Sequence, residues 1–330
     1  MKSRFPKIEL HSHLEGTITA ETLIEFSRGA HAAPLPSPDA GELEKIIRAV
    51  DFKSFNNYLD ITRPFRQRPE DVKKIAMIEF ERAAKNGVIY AEYRFNFDRP
   101  VAMGYDMREL IDAINDGREL ARRETGLRTG LIFGLKRQGD IPAVSKMVAA
   151  GVEAFKKGLV CAIDLNGDEK AFPVTMFAEC FRPAIAAGCP LTLHAGEWDG
   201  PESVRNAVIC GAKRIGHGVR AFEDPKLVEL LAREKICLEI CPTSNIRTEV
   251  YRSYAENPLR KLFEAGVPVS VNSDDHGAFG SDIDGEYCVL ENEFGFSAAE
   301  IAKLNESAAS AAFISGPEKK ILIEKLKASY

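Results

Sequence analysis

Short β-branched and aliphatic runs alternate with longer amphipathic stretches along most of the chain. Eight such runs are predicted to be strands, because each is short, strongly apolar and followed by a polar or glycine-containing turn. The predicted strands cover residues 7–10, 88–95, 128–135, 159–165, 190–194, 214–216, 236–240 and 267–271. Residues 70–87, 106–126 and 224–235 place apolar side chains at i, i+3 and i+4, the spacing of an amphipathic helix.

This alternation predicts an α/β protein with a parallel sheet. A doubly wound open sheet fits the periodicity almost as well, but eight β/α units favour a TIM-type (β/α)8 barrel. About 75 residues separate the first two predicted strands, far more than an ordinary connection between a strand and a helix. We therefore predict a single domain over residues 1–330, with a helical, lid-like insertion at about 18–86 and closing helices in the C-terminal tail.

Composition excludes several classes of function. The 330 residues include 44 Lys+Arg and 49 Asp+Glu, which give a formal net charge of −5. The chain therefore lacks the excess of positive charge that is typical of proteins that bind nucleic acid or an anionic membrane. No stretch approaches the ~18 consecutive apolar residues of a membrane span, and the N-terminus lacks the apolar segment of a signal peptide. We therefore expect a cytoplasmic protein whose seven cysteines are reduced thiols. The sequence leaves the oligomeric state open.

Four of the six histidines stand at the ends of predicted strands. His11 and His13 follow the first strand, His194 ends the fifth and His217 follows the sixth, whereas His31 lies in a loop-like stretch and is assigned no role. The carboxyl ends of barrel strands build the active site, so these four are candidates for chemistry. The i, i+2 spacing of His11 and His13 points both imidazoles to one side of an extended strand, an arrangement that suits zinc.

Carboxylates follow the same strand ends. Asp274 and Asp275 stand at the end of the last predicted strand. Neighbouring side chains of an extended chain point in opposite directions, so one aspartate can face a metal while the other faces a substrate. Alternatively, the pair belongs to a turn or caps a helix. Glu197 lies on the glycine-containing turn after the fifth strand, where a carboxyl group can act as general acid and base. Taken alone, Glu197 could also be a carboxylate at a helix N-terminus or a surface charge. The NGDE segment at 166–169 has two interpretations. Its glycine could leave backbone exposed beside the fourth strand, or the segment could be an ordinary turn.

The residues favour one metal ion over two. A binuclear site usually needs a bridging lysine or carboxylate, often from the fourth strand, which here has no lysine and places Asp164 within the strand. We therefore expect a single metal ion held by His11, His13, His194 and Asp274, with an open position for water.

The chain resembles the adenosine and adenine deaminase family in six motifs that follow the family's order: PKIELHSHLEGTI, AIDLNGDE, LTLHAGE, RIGHG, CPTSN and SVNSDD. The tail from GFSAAEIAKLNESAASAAF onward is similar too, so the resemblance covers nearly the whole chain. It implies a TIM-type barrel with one zinc ion (Zn2+) and hydrolytic removal of the amine from a 6-aminopurine. The expected substrate is an adenosine-type nucleoside, with free adenine or a modified adenosine such as aminodeoxyfutalosine as alternatives.

The resemblance also implies roles for individual residues. Glu197 would donate a proton to the ring nitrogen beside the reacting carbon, and His217 would orient and stabilise the hydroxide that zinc generates. Asp275 would hydrogen-bond a nitrogen of the five-membered ring, and the Gly167 amide another ring nitrogen. Glu15 stands where nucleoside-specific members usually carry Asp, to hold a sugar hydroxyl, and base-specific members often carry Glu.

Other classes fit the residues less well. The zinc deaminases of flipped or single-stranded bases use a His-x-Glu with a Pro-Cys-x-x-Cys motif, and this chain has only Cys237 and Cys241 within ICLEIC. A growth-factor-like family member without catalysis is disfavoured, because every chemical position is intact. A metal-dependent amidohydrolase that cuts a cyclic amide would use similar ligands. His276 departs from the family pattern, which commonly has Pro after the aspartate pair.

Overall fold

The centre of the molecule is one sheet of eight parallel strands, whose order in space is their order in the chain. The computed structural model describes residues 5–28 and 33–329. The strands are β1 (Lys7–His13), β2 (Val88–Asn96), β3 (Arg128–Lys136), β4 (Ala162–Asn166), β5 (Leu191–Ala195), β6 (Arg214–His217), β7 (Cys237–Ile240) and β8 (Val269–Val271). A bridge between Ser12 and Asp274 brings the end of β8 to β1. The sheet is thus a nearly closed barrel, which confirms the TIM-type prediction.

Helices surround the barrel. Among the described residues the α-helices are α1 (Ala20–Ser27), α2 (Ala40–Ile47), α3 (Phe52–Thr62), α4 (Pro69–Lys85), α5 (Asp98–Ala102), α6 (Met107–Thr125), α7 (Ile141–Lys156), α8 (Arg182–Ala186), α9 (Pro201–Ile209), α10 (Pro225–Glu234), α11 (Pro242–Arg247), α12 (Leu259–Glu264), α13 (His276–Phe279), α14 (Ile283–Asn292), α15 (Ala298–Ala311) and α16 (Gly316–Lys327). Helices α4, α6 and α10 confirm the three amphipathic predictions, and α15 and α16 the closing helices. In these ranges no helix combines the length and apolar character that crossing a bilayer requires.

Two predicted elements have different bounds in the structure. The sequence predicts the fourth strand at 159–165, but β4 begins at Ala162, because the Leu159 amide donates to Ala154 O and completes the turn that ends α7. The proline-rich sequence of residues 33–42 is typical of a loop, but its last residues begin α2. Asp39 caps that helix by accepting the Glu42 amide at 2.8 Å, which is why the helix starts inside the stretch.

The long connection between β1 and β2 contains helices α1 to α4, as the predicted helical insertion requires. Tyr58 of α3 ties the insertion to the segment after β1, since its hydroxyl donates to Ile18 O at 3.0 Å and accepts from Ile18 N at 3.1 Å. Arg82 of α4 reaches the same segment by donating to Thr17 O at 3.1 Å. The insertion therefore packs at the carboxyl end of the strands. Its lid-like behaviour and the single domain stay predictions.

The barrel interior contains paired charges as well as apolar side chains. Glu239 of β7 accepts from Arg94 Nη2 at 2.7 Å and from Arg214 Nε at 2.5 Å, and Arg214 also pairs with Glu92 at 2.7 Å. All four side chains are essentially fully buried. Because an unpaired charge at such depth is very costly, these residues hold one another in fixed positions. The network reaches His11, whose Nδ1 lies 2.7 Å from Glu239 Oε2.

Candidate active site

A cavity of about 650 Å³ opens at the carboxyl ends of the strands. This volume falls in the usual range for small-molecule sites. Eight of the nine predicted site residues line it: His13, Glu15, Gly167, His194, Glu197, His217, Asp274 and Asp275. The ninth, His11, is fully buried beside them. The insertion contributes further lining from α3, including Phe52, Phe55 and Leu59. His31 lies outside the described residues.

The three histidines predicted to bind metal converge with Asp274. His13 Nε2 lies 3.3 Å from His194 Nε2, and Asp274 Oδ1 lies 3.4 Å from His11 Nε2 and 3.6 Å from His13 Nε2. A tetrahedral zinc ion bound to nitrogen and oxygen at about 2.0–2.1 Å would separate its ligand atoms by about 3.3–3.4 Å. Both the kind of donor and the spacing therefore fit one zinc ion.

Two buried carboxylates orient the imidazoles from behind. His11 Nδ1 lies 2.7 Å from Glu239 Oε2, and His194 Nδ1 lies 3.0 Å from Asp164 Oδ1. An Nδ1–H that donates to a carboxylate leaves Nε2 with a free lone pair for a metal. Burial also lowers the pKa of His13 and of His194, which keeps both rings neutral, as ligation requires. Asp164 is therefore a hydrogen-bond partner of the His194 ring.

The two adjacent aspartates face different groups, though not for the predicted reason. Asp274 lies beside the imidazoles and accepts Ser244 Oγ at 2.6 Å. Asp275 lies against Gly16, where a Cβ would overlap its carboxylate. Strand alternation alone predicts this separation, but Asp274 has a φ of +58°, in the left-handed region that few residues other than glycine adopt. The turn after β8, and not an extended chain, directs the two side chains apart.

Glu197 and His217 form a pair next to the Asp274 carboxylate. Glu197 Oε2 lies 3.6 Å from His217 Nε2, which lies 3.8 Å from Asp274 Oδ2. Burial and then the charges of Asp274 and Glu169 raise the pKa of Glu197 well above its ordinary value, which favours the protonated form of its carboxyl group. Burial lowers the pKa of His217, which stays neutral. The pair thus offers a proton donor and a neutral imidazole to the cavity.

His217 reaches this position through a strained backbone between two glycines. Its φ is +59°, and a Cβ at Gly216 would come within 3.0 Å of His11 Cε1 and 3.1 Å of His194 Nδ1. Only glycine lets β6 approach the two imidazoles this closely. The geometry at the end of β6 is therefore set by its contacts with the neighbouring rings.

Glu15 and Gly167 lie at other points of the cavity wall. Glu15 Oε1 accepts the Asn96 amide at 3.0 Å, while its buried Oε2 has no hydrogen-bond partner among the described residues. Burial raises the pKa of Glu15 against the opposing effect of Arg66. Gly167 has φ of +103°, and a side chain there would overlap Gln138. A ligand in the cavity can thus meet one unpaired carboxylate oxygen and an uncovered stretch of backbone.

His276, the residue that replaces the usual Pro, has a defined partner. Its Nε2 lies 2.9 Å from Glu79 Oε2 of α4, and both side chains are buried. Glu79 also accepts from Tyr93 Oη at 2.9 Å and from Arg82 Nη1 at 2.9 Å. The residue after Asp275 is thereby tied to the insertion.

Sequence reasoning missed several residues that support the site. Glu239 and Asp164 orient imidazoles, and Gly16 makes room for Asp275. Glu169 lies in the NGDE motif, but nothing in that motif shows that its carboxylate binds the loop of Glu197. One usable signal was present: Glu239 interrupts the apolar run ICLEI, and a charge in a strand buried on both faces needs a partner inside the barrel.

Comparisons with known proteins agree with this geometry. The family model for adenosine deaminase matches residues 6–329. An adenosine deaminase of Shewanella loihica is 37% identical over 324 residues, which are 96% of this chain and 97% of that protein. The solved adenine deaminase of Arthrobacter aurescens superposes with a TM-score of 0.89 at 27% identity over 98% of each chain. An amidohydrolase of Burkholderia ambifaria with bound zinc gives a TM-score of 0.84 at 25% identity over 98% of this chain and 93% of that one.

Proposed function

The chain belongs to the adenosine deaminase family of hydrolytic deaminases, and on that premise we propose that it removes the 6-amino group of an aminopurine with one zinc ion per chain. The observation that carries the proposal is the cluster of His11, His13 and His194, with the Asp274 carboxylate 3.4 Å from His11 and 3.6 Å from His13, at a cavity of about 650 Å³. Glu197 lines the same cavity, and burial raises the pKa of its carboxyl group. The zinc in the related amidohydrolase supports the choice of metal.

His11, His13, His194 and Asp274 would hold the ion. Bound there, zinc supplies Lewis-acid activation of water near neutral pH. The donor set contains no soft thiolate, and imidazole with carboxylate is a common combination for a catalytic zinc ion.

The remaining chemistry belongs to the side chains around the cavity. Glu197 donates its proton to the ring nitrogen beside the reacting carbon, which makes that carbon more electrophilic as water attacks. The neutral imidazole of His217 orients the attacking water. Asp275 and the Gly167 amide hold the purine ring by its nitrogens. A carbon–oxygen bond forms as one proton of the attacking water passes to the Glu197 carboxylate. The other proton of the water passes to the amine, the carbon–nitrogen bond breaks, and ammonia leaves.

We propose an adenosine-type nucleoside as substrate, with free adenine as the main alternative and a modified adenosine as a further one. The volume of about 650 Å³ and the unpartnered Glu15 Oε2 support a substrate larger than the base, because a sugar hydroxyl could donate to that oxygen. The 37% identity to an adenosine deaminase supports the same choice, while the solved adenine deaminase supports the alternative.

The ratio of kcat/KM for adenosine to that for adenine tests this choice. We expect adenosine to be preferred and Glu15→Gln to reduce the preference, because an amide cannot offer two acceptor oxygens to the sugar hydroxyl and the Asn96 amide. Asp98→Asn, the same kind of change elsewhere on the cavity wall, should leave the ratio unchanged. A preference for adenine of more than about 100-fold would contradict the nucleoside assignment and leave the deaminase assignment intact.

A further inference from the structure

The carboxylate of Glu169 binds the backbone of the loop that carries Glu197. Glu169 Oε1 accepts the amides of residues 197, 198 and 199 at 2.8, 2.7 and 2.9 Å, and Oε2 accepts the Gly196 amide at 2.7 Å and Ser203 Oγ at 2.5 Å. Its side chain is 2% exposed. Four successive backbone amides therefore donate to one buried carboxylate. Hydrogen bonds to a charged acceptor are stronger than those between neutral groups.

Arg137, the residue after β3, binds the end of β5, the strand that leads into this loop. Its guanidinium is fully buried, donates to His194 O and donates to Phe172 O at 3.1 Å. Its amide donates to Asn166 O at 2.9 Å. Burial alone would raise the pKa of Glu169, but the hydrogen bonds from the Asp199 amide, Ser203 Oγ and the Gly196 amide, and then the charge of Arg137, hold that pKa below its ordinary value. The anion that binds the loop is therefore stable inside the protein.

The position of the Glu197 carboxyl group depends on this backbone. The contact that the structure shows for its Oε2 is His217 Nε2 at 3.6 Å, which is longer than a hydrogen bond. Since that contact is loose, the main chain of 196–199 largely sets where the carboxyl group lies. Glu169 is also two residues after Gly167, whose amide borders the cavity.

We propose that Glu169 is a positioning residue that fixes the 196–199 backbone and thereby places the Glu197 carboxyl group for proton transfer. This inference rests on the proposed function, because it needs Glu197 as the proton donor. A misplacement of about 1 Å can cost about 100-fold in rate, so a support with five donors has a measurable effect on turnover.

Hydrogen–deuterium exchange tests the contact itself without relying on activity. Glu169→Gln replaces one acceptor oxygen by an NH2 group, which would face amide donors, so we expect the amides of 196–199 to exchange at least about tenfold faster. Asp140→Asn is the matched control: Asp140 is a carboxylate that accepts the Ala143 amide at 2.7 Å at the start of α7 and does not line the cavity, so the exchange of 196–199 should stay as in the parent. Unchanged exchange of 196–199 in Glu169→Gln would overturn the proposal.

Kinetics then separate positioning from general stability. We expect Glu169→Gln to lower kcat by about 10- to 100-fold, with KM and zinc content close to those of the parent. In a Glu197→Gln background the same change should cause little further loss, because the group being positioned is already gone. Losses that multiply in the double variant would overturn the proposal. If Glu197→Gln alone retained full turnover, the proposed function of Glu197 would fail instead, and the exchange result would still decide whether Glu169 holds the loop.

Discussion

Burial acts in opposite directions on the acids and the imidazoles of this site, and both directions suit deamination. Removal from water disfavours a charged group, so it raises the pKa of Glu197 and lowers the pKa of His13, His194 and His217. The raised pKa favours the protonated form of the glutamate, the form that can donate a proton. The imidazoles stay neutral, so they can bind a metal ion or accept a hydrogen bond. One physical cause thus prepares two chemical roles.

Replacing Glu197 by Gln tests the role of the proton. The amide keeps the shape of the side chain and removes the transferable proton, so we expect kcat to fall about 10²- to 10⁴-fold with zinc content unchanged. Because the pKa of Glu197 is raised, its protonated form is present below that pKa, and turnover by the parent should decline as pH rises through it. A pH–rate profile of the parent and the metal content of the variant check both points. Turnover near the parent's rate in the variant would remove Glu197 from the mechanism.

The sequence predicts the direction of a side chain well where the chain is an extended strand, and poorly where the residue lies in a turn. His11 and His13 converge because β1 is extended through both. Asp274 and Asp275 diverge because of a left-handed residue, which no alternation rule predicts. The need for Gly16 depends on Asp275, more than 250 residues later in the chain, and becomes visible only in three dimensions.

Among the secondary-structure elements, helix α4 connects the insertion to the substrate side of the cavity. Its Glu79 accepts from Tyr93 of β2, from Arg82 of the same helix and from His276 at the start of α13. His276 directly follows Asp275, the residue proposed to hold the purine ring. The pair of Glu79 and His276 therefore fixes the turn after β8 through a helix that comes almost 200 residues earlier.

Removing the charge of Glu79 should loosen that connection. We expect Glu79→Gln to lower the free energy of unfolding by about 1–3 kcal/mol, because the buried group loses an acceptor oxygen for one of its three donors. KM should rise more than kcat falls, since the substrate-side turn is affected and Glu197 is not. Urea unfolding and steady-state kinetics measure the two effects.

The control for Glu79 lies on the same helix. Glu81→Gln is the same substitution two residues further along α4, on another face, and should change neither quantity appreciably. Equal effects of the two substitutions would show that α4 responds to any change of charge and would remove the specific link to His276.

The strands were predicted more securely than their ends. Parallel barrel strands are buried on both faces and therefore form continuous apolar runs, so all eight could be located in the sequence. Their bounds depend on neighbouring turns, as the end of α7 shows for β4. The helical insertion could be expected from its length alone, but its attachment through Tyr58 and Glu79 could not, because those partners are distant in sequence.

Across the whole molecule, the proposed zinc site joins parts of the barrel that are distant in the chain. His11 and His13 come from β1, His194 from β5 and Asp274 from the turn after β8, which is also where β8 meets β1. The buried charges of Glu239 and its partners continue from His11 toward the opposite end of the barrel. A metal ion at this point would therefore stabilise the closure of the barrel as well as take part in catalysis.

Metal content and thermal stability should accordingly change together. We expect one zinc ion per chain. A ligand that binds only the folded state stabilises that state by RT ln(1 + [L]/Kd). Chelation should therefore lower Tm, and adding zinc back should restore the original Tm. Asp274→Ala should lose zinc and show the lower Tm even without chelator. Asp275→Ala, its matched neighbour, should keep zinc and lose substrate affinity instead. Elemental analysis and thermal unfolding check these outcomes. Two metal ions per chain, or loss of zinc from Asp275→Ala alone, would contradict the single site in which Asp274 joins the three histidines.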